Sequence, residues 1–181
     1  MLVIIGPSAC GKTQIVNKLI SDFGYKKLVT YTTRPMRLNE KQGIDYNFIT
    51  KEKFKEKINN SFFIEYVKYN NNYYGTSYSD LSKDKVVIIE AEGLKSYLEK
   101  ARNQITVIFI RCSKPIRRIR MIERLDNEEN IQKRLNSDDI VFNENVQALA
   151  DYVIDSSNSN VYDCAKLVDS LYKKSVNSDA N

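Results

Sequence analysis

Residues 6–13, Gly6-Pro7-Ser8-Ala9-Cys10-Gly11-Lys12-Thr13, fit Gly-x-x-x-x-Gly-Lys-Thr, the spacing of a loop that cradles phosphates. The glycines allow a turn in which successive backbone N–H groups point into one concavity. Lys12 can reach the β- and γ-phosphates, and the Thr13 hydroxyl can serve Mg²⁺. An apolar run at 2–5 precedes the loop and suits a buried parallel strand. Ile15, Val16, Leu19, Ile20 and Phe23 then recur at helical spacing, with Gly24 where a helix C-cap falls. Strand, glycine loop and helix in this order place a helix N-terminus, with its partial positive charge, under the phosphates. The chemistry implied is binding of a nucleoside triphosphate; the loop alone names no acceptor.

Three other stretches carry charge in patterns that could do chemistry. In TTRPMRLNEKQGIDYNF (32–48), Arg34 and Arg37 sit near Glu40, Asp45 and Tyr46. Two guanidinium forks beside a phenol can grip a phosphate dianion, although a solvated pair explains them as well. In FFIEYVKYNNNYYGTS (62–77), Glu65 lies among apolar and aromatic residues, ahead of Tyr73, Tyr74, Gly75 and Thr76. Alone, that carboxylate reads first as a structural partner. In 111–135, Pro115 suits the first turn of a helix. Helical spacing then puts Arg117, Arg120 and Arg124 on one face, with Ile116, Ile119 and Ile122 largely behind. In isolation this is a solvated helix or a nucleic-acid patch. The chain has no histidine, so its chemistry runs without the commonest general base.

The elements that must position these residues follow from apolar runs at 2–5, 86–89, 105–110 and 152–154, with helical patterns between or after them. A further short strand is expected at 28–31. Such alternation predicts an α/β core with a mainly parallel five-stranded sheet flanked by helices. The polar, Tyr- and Asn-rich segment from about 32 to 80 reads as an inserted lobe of short strands, with one helix near 51–59 and a hairpin turn in KYNNNYYG. The tail from about 175 is expected to be frayed. The chain has 181 residues, 42% hydrophobic and 28% charged, which suits one soluble domain. Its three scattered cysteines point to a reducing compartment and no structural metal. The apolar start is too short for a signal peptide and no run approaches a membrane span, so a cytoplasmic location is expected. A net charge of +5 fits nucleic acid or small anionic substrates drawn to a positive cleft.

The loop, the arginine stretch and the Glu65 stretch together resemble the guanylate kinase family. Its Arg-x-x-Arg-x-x-Glu-x-x-Gly-x-Asp-Tyr-x-Phe pattern is met by Arg34, Arg37, Glu40, Gly43, Asp45, Tyr46 and Phe48. Its Phe-Ile-Glu, seven residues, Tyr-Tyr-Gly-Ser/Thr pattern is met by Phe63, Ile64, Glu65, Tyr73, Tyr74, Gly75 and Thr76. The resemblance runs from residue 2 to about 172. It implies transfer of the γ-phosphoryl group of ATP, with Mg²⁺, to GMP or dGMP, giving ADP and GDP. It also implies one domain over 1–181: a core (1–31 and 81–175), a GMP-binding lobe (about 32–80) and a helical lid (about 117–135).

By the same resemblance, residues 6–13 hold ATP, with Thr13 on the metal. Arg34, Arg37, Tyr46 and Tyr74 hold the GMP phosphate, and Glu40 orients the arginines. Glu65 and Glu90 read guanine, with Thr30 and Thr76 beside them. Lys12, Arg120, Arg124 and Arg134 stabilise the transferring phosphoryl group. Guanine offers N–H donors at N1 and N2 to carboxylates and an acceptor at O6 to hydroxyls. The attacking phosphate oxygen is already anionic, so no base is required. The implied partners are ATP and GMP, with no nucleic acid or membrane, and the implied assembly is a monomer or homodimer.

The sequence departs from the family pattern in places. Ala9 and Leu125 stand where glycine is usual, and the lid is one residue short. Ile88 replaces an acidic residue near the metal, leaving Thr13 as the direct protein ligand. Asp155 replaces an asparagine near the adenine. Cys10 lies beside a helix N-terminus, a place that lowers a thiol pKa; oxidation that blocks ATP is one reading, and a small residue that simply fits the loop is the favoured one. The readings set against an active guanylate kinase are an inactive guanylate-kinase-like nucleotide- or peptide-binding module, a related kinase with another acceptor, and a nucleic-acid binder.

Overall fold

The computed structural model describes residues 1–69 and 71–178. The chain begins with β1 (Leu2–Ile5), α1 (Lys12–Phe23), β2 (Lys26–Lys27), β3 (Tyr31–Thr32) and β4 (Asn47–Phe48). Next come α2 (Lys51–Asn59), β5 (Phe63–Tyr69), β6 (Asn72–Ser77), β7 (Lys85–Ile88) and α3 (Ala91–Ala101). It ends with β8 (Thr106–Arg111), α4 (Lys114–Glu123), α5 (Glu128–Val141), α6 (Glu144–Gln147), β9 (Tyr152–Asp155) and α7 (Val161–Ser178). Two compact units result, one of Met1–Lys26, Lys83–Ala91 and Ile105–Asn181, the other of Lys27–Ser82 and Glu92–Gln104.

The first unit is an α/β layer structure on a five-stranded sheet of order β2-β7-β1-β8-β9. β1 is parallel to both β7 and β8, and β8 is parallel to β9. β1 is central, which explains why Leu2, Val3, Ile4 and Ile5 are apolar without alternation: both faces are covered and all four residues are buried. Ile15, Val16 and Leu19 of α1 and Cys164, Ala165, Val168 and Tyr172 of α7 close the core with Ile108 and Ile110. Gly24 ends α1 with φ +78°, and its N–H donates to the Leu19 carbonyl.

Two expectations are corrected here. The fifth strand is Lys26–Lys27, where the Lys26 N–H donates to the Asp84 carbonyl at 2.8 Å; the run at 28–31 breaks, and Tyr31–Thr32 joins the other sheet. Periodicity cannot tell which sheet a two-residue strand joins. The tail is also ordered further than expected, since α7 continues through Ser178 and Ser175 hydrogen-bonds Thr106 (Oγ–Oγ1 3.0 Å). Residues 179–181, the end of that expected frayed tail, lie outside the described residues.

The second unit carries a four-stranded sheet of order β4-β3-β6-β5. β5 and β6 form the expected antiparallel hairpin, paired out to Tyr69 and Asn72; Asn70 of its turn lies outside the described residues. α2 occupies the expected 51–59, capped by the Thr50 side chain accepting from the Lys53 N–H. Its buried Phe54 stacks on Phe63 and Tyr73, with ring centroids 4.4 and 5.3 Å away.

Candidate active site

Residues 6–11 connect β1 to α1 at the C-terminal edge of the central strand, where open α/β sheets place ligands. Gly6 has φ +142°, and a Cβ there would come within 2.1 Å of the Ile110 carbonyl oxygen. Gly11 has φ +91° and starts α1. The Lys12 ammonium folds back onto the loop, donating to the carbonyls of Gly6 and Pro7. Ala9, Cys10, Lys12 and Thr13 line a cleft of about 680 Å³ together with Arg120, Arg124, Ser156 and Asn160. That volume suits a nucleotide.

Arg120 reaches the loop from α4: Nη1 donates to the Ala9 carbonyl at 3.3 Å and Nη2 to the Ser156 carbonyl at 2.7 Å. Ser156 Oγ in turn donates to the Cys10 carbonyl at 2.7 Å. Arg124 and Arg134 are about half exposed and converge on one carboxylate, Asp126 Oδ2, at 2.8 and 3.3 Å. The far side of the loop is held from α5. Asp138 accepts from the Ser8 N–H at 2.8 Å and from Arg117 Nη1 at 3.2 Å, and Asp139 accepts from Arg117 Nη2 at 2.7 Å.

In the second unit, Arg34 Nη2 bonds Glu40 Oε1 at 2.6 Å, and the Arg37 N–H donates to Glu40 Oε2 at 2.8 Å. The hydrogen bond from Arg34, then that from the Arg37 backbone, holds the Glu40 carboxyl below the usual range. The Arg34 guanidinium lies over the Tyr46 ring at 5.4 Å, and Tyr46 meets Tyr74 edge-on at 6.1 Å. Arg34, Glu40, Tyr46 and Tyr74 thus share one patch, whereas the Arg37 side chain is exposed and touches Glu40 only through its backbone. Nearby in sequence, the Thr30 carbonyl accepts from the Asn47 N–H at 2.8 Å.

Glu65 is largely buried on β5, and its Oε1 accepts from the Thr76 hydroxyl at 3.0 Å. Burial pushes the Glu65 carboxyl pKa up, against weaker pulls from Thr76 and Lys100. The Thr76 proton is therefore committed to Glu65 and does not serve a guanine O6 in this arrangement. Glu90 is exposed in the first unit, between β7 and α3.

The guanylate kinase family model matches residues 1–174. The chain belongs to the guanylate kinase family. It is 37% identical over 145 residues to the guanylate kinase of Helicobacter hepaticus, covering 75% of this chain and 72% of that one. It is 34% identical over 138 residues to the guanylate kinase of Legionella pneumophila strain Paris, spanning 72% of this chain but 66% of that relative's length. The crystal structure of guanylate kinase from Anaplasma phagocytophilum superposes with a TM-score of 0.66 at 25% identity, covering 97% of this chain and 85% of that one. Shikimate kinase from Acinetobacter baumannii, at TM-score 0.55 and 11% identity over 96% of this chain and 93% of that one, shares the fold alone.

Within this guanylate kinase-family chain, three expectations change. Cys10 is fully buried, and burial raises its thiol pKa more than nearby Lys12 lowers it, so the reactive, oxidisable thiol is not what the structure contains. α4 is turned from its expected orientation: Arg117 is buried and paired with the two aspartates, while Ile119 and Ile122 are each 49% exposed. The inward apolar residue is Met121, packed on Ile131 and Leu135 of α5. Asp155 does not line the cleft, because its carboxylate accepts from the Ser157 N–H at 2.8 Å and from Arg111 at 2.9 Å. The polar residues found there instead, Ser156, Ser159 and Asn160, follow β9 in the SSNSN run. That run, at the end of a strand, was the available signal for them. Asp138 and Asp139 carried none.

Proposed function

We propose that this chain is a guanylate kinase, an ATP:GMP phosphotransferase that moves the γ-phosphoryl group of ATP to GMP or dGMP. The observation that carries the acceptor is the buried Glu65 carboxylate, with one oxygen held by Thr76 and the other available to a base. Guanine presents N–H donors to it; adenine presents a lone pair at N1 and leaves the buried carboxylate unpaired. A site of this kind rejects the wrong base by up to ~10⁴–10⁵. Arg34, Arg37, Tyr46 and Tyr74 are the proposed holders of the GMP phosphate, Thr30 and Glu90 the remaining guanine contacts. The segment 32–80 as acceptor lobe and 117–135 as lid belong to the same proposal.

On the donor side, residues 6–13 are proposed to hold ATP, with Lys12 exchanging its two carbonyl partners for the β- and γ-phosphates. Arg120, Arg124 and Arg134 would neutralise charge as it spreads over the phosphoryl group. The loop fits ATP with Mg²⁺: Gly6 lets it lie against the Ile110 carbonyl, Gly11 takes the positive φ that opens α1, and Thr13 in the first turn of α1 supplies a hard oxygen. Among the described residues no group of three His, Cys, Asp or Glu could hold a metal. Thr13, phosphate oxygens and water would therefore form its shell. When bound, the ion would offset charge on the phosphates held by the loop.

A binding module without catalysis is the weaker reading, because Gly6, Gly11, Lys12 and Thr13 keep the full Gly-x-x-x-x-Gly-Lys-Thr spacing. Three unpaired cysteines support the cytoplasmic location proposed with this function, and no described helix is long and apolar enough to cross a membrane. We assign no nucleic-acid partner and a monomer or homodimer. The test is ADP release with ATP and Mg²⁺ on GMP, dGMP, AMP, CMP and UMP, for the parent and for Lys12→Ala. We expect turnover on the guanine nucleotides and a loss of at least about 100-fold in Lys12→Ala with GMP still bound. Equal turnover on AMP would remove the guanine assignment, and an active Lys12→Ala would remove the role of Lys12.

A further inference from the structure

Tyr97 of α3 is completely buried, yet its hydroxyl oxygen is shielded from solvent without a hydrogen-bond partner. Such a group burdens a fold, and phenylalanine would fill the same space without it. The hydroxyl is not among apolar neighbours only. It lies against the Thr76 hydroxyl and in the field of the Glu65 carboxylate. Thr76, itself buried, has given its proton to Glu65 Oε1 and keeps lone pairs free to accept. The other charged group facing Glu65 is Lys100, also on α3, whose ammonium is bonded to the Ile64 carbonyl at 2.7 Å. Among the described residues, Tyr97 is thus a buried donor behind the pair, without a partner of its own and with Thr76 as the neighbouring hydroxyl.

We infer that Tyr97 is a positioning residue for the acceptor base. Its hydroxyl donates to Thr76 Oγ1, which keeps the Thr76 proton on Glu65 Oε1 and leaves Glu65 Oε2 to take the N–H donors of a guanine. The relay closes to ordinary hydrogen-bond length when the base draws on Oε2, since catalytic hydrogen bonds are often long before substrate binds and chained hydroxyls strengthen one another. This rests on the proposed reading of Glu65 as the guanine acceptor.

Tyr97→Phe deletes only the oxygen. We expect the KM for GMP to rise about tenfold, with kcat and the KM for ATP within about twofold of the parent and the preference for GMP over IMP reduced. Because Tyr97 acts through Thr76, adding Tyr97→Phe to Thr76→Val should change the GMP KM no further. A parental GMP KM in Tyr97→Phe, with a raised melting temperature, overturns the inference and marks the hydroxyl as a burden only. Additive effects in the double variant overturn it as well. Glu65→Gln run beside them separates the two claims. If it weakens GMP while Tyr97→Phe does not, only the role of Tyr97 falls; if it leaves GMP binding intact, the guanine reading falls and the inference with it.

Discussion

At the scale of single residues, the two positions that depart from glycine behave differently. Ala9 has φ +59° and Leu125 φ +61°, both in the left-handed region. An L-residue with a Cβ is about 1–2 kcal/mol less stable there than in the right-handed region. Replacing it by glycine recovers that strain but returns about 0.4–1 kcal/mol through the freer unfolded chain. Leu125 is 91% exposed, so little packing is lost, and Leu125→Gly should raise stability by about 0.5–1 kcal/mol. Ala9 packs against Met121, Ile131 and Leu135 and would lose part of a methyl group, a further fraction of about 0.8 kcal/mol. Ala9→Gly should therefore stay within about 0.5 kcal/mol of the parent by the same reckoning. Urea titrations of the two variants check both numbers. A Leu125→Gly protein no more stable than the parent would mean the turn after α4 is relaxed in solution.

The element in which sequence and structure part most is α4. Its start was legible: Pro115 falls in the first turn as expected. Its orientation was not. Arginine and isoleucine on opposite faces read as basic-out and apolar-in, but α5 brings Asp138 and Asp139 to Arg117 from 21 and 22 residues away. No local pattern announces that pairing. With both acids supplied, the guanidinium can be buried while two isoleucines remain half exposed. Breaking a buried ion pair by deleting one partner costs about 3–5 kcal/mol. Arg117→Ala should lower stability by about that amount in chemical denaturation. It should also raise the KM for ATP, since Asp138 holds the Ser8 N–H of the loop. A stability loss under about 1 kcal/mol would show the pair to be open to water. β1 and β8 were the easiest elements to read, because continuous burial leaves continuous apolar runs; β2 and β3, with two residues each, carry too few side chains to record a side or a sheet.

Across the whole molecule, the cysteines test the burial pattern. Cys10, Cys112 and Cys164 are all free and all buried, one in the loop, one after β8 and one in α7. A thiol reagent at neutral pH should label none of them in the native protein and all three in guanidinium, and ATP should make no difference. Fast labelling of one thiol, blocked by ATP, would restore the redox-sensitive loop. Of the candidate site, what the sequence made legible were the side chains proposed to meet ligands through fixed spacing, such as Lys12, Thr13, Arg34 and Glu65. The residues that hold those in place, Asp138, Tyr97 and Ser156, come from distant segments and from ordinary residue types.

Asp126 sits at the centre of a small exchange. Arg124 and Arg134 both rest on it, so on the proposed function neither waits as a bare cation. An arriving triphosphate displaces a tethered carboxylate as well as solvent and mobile counter-ions. Each partly exposed pair is worth about 0–1 kcal/mol, so release is easy. The same tether makes arginine binding a swap of one anion for another. Added salt weakens both sides of that swap, and the donor affinity of this chain should then depend less steeply on ionic strength than its row of arginines implies.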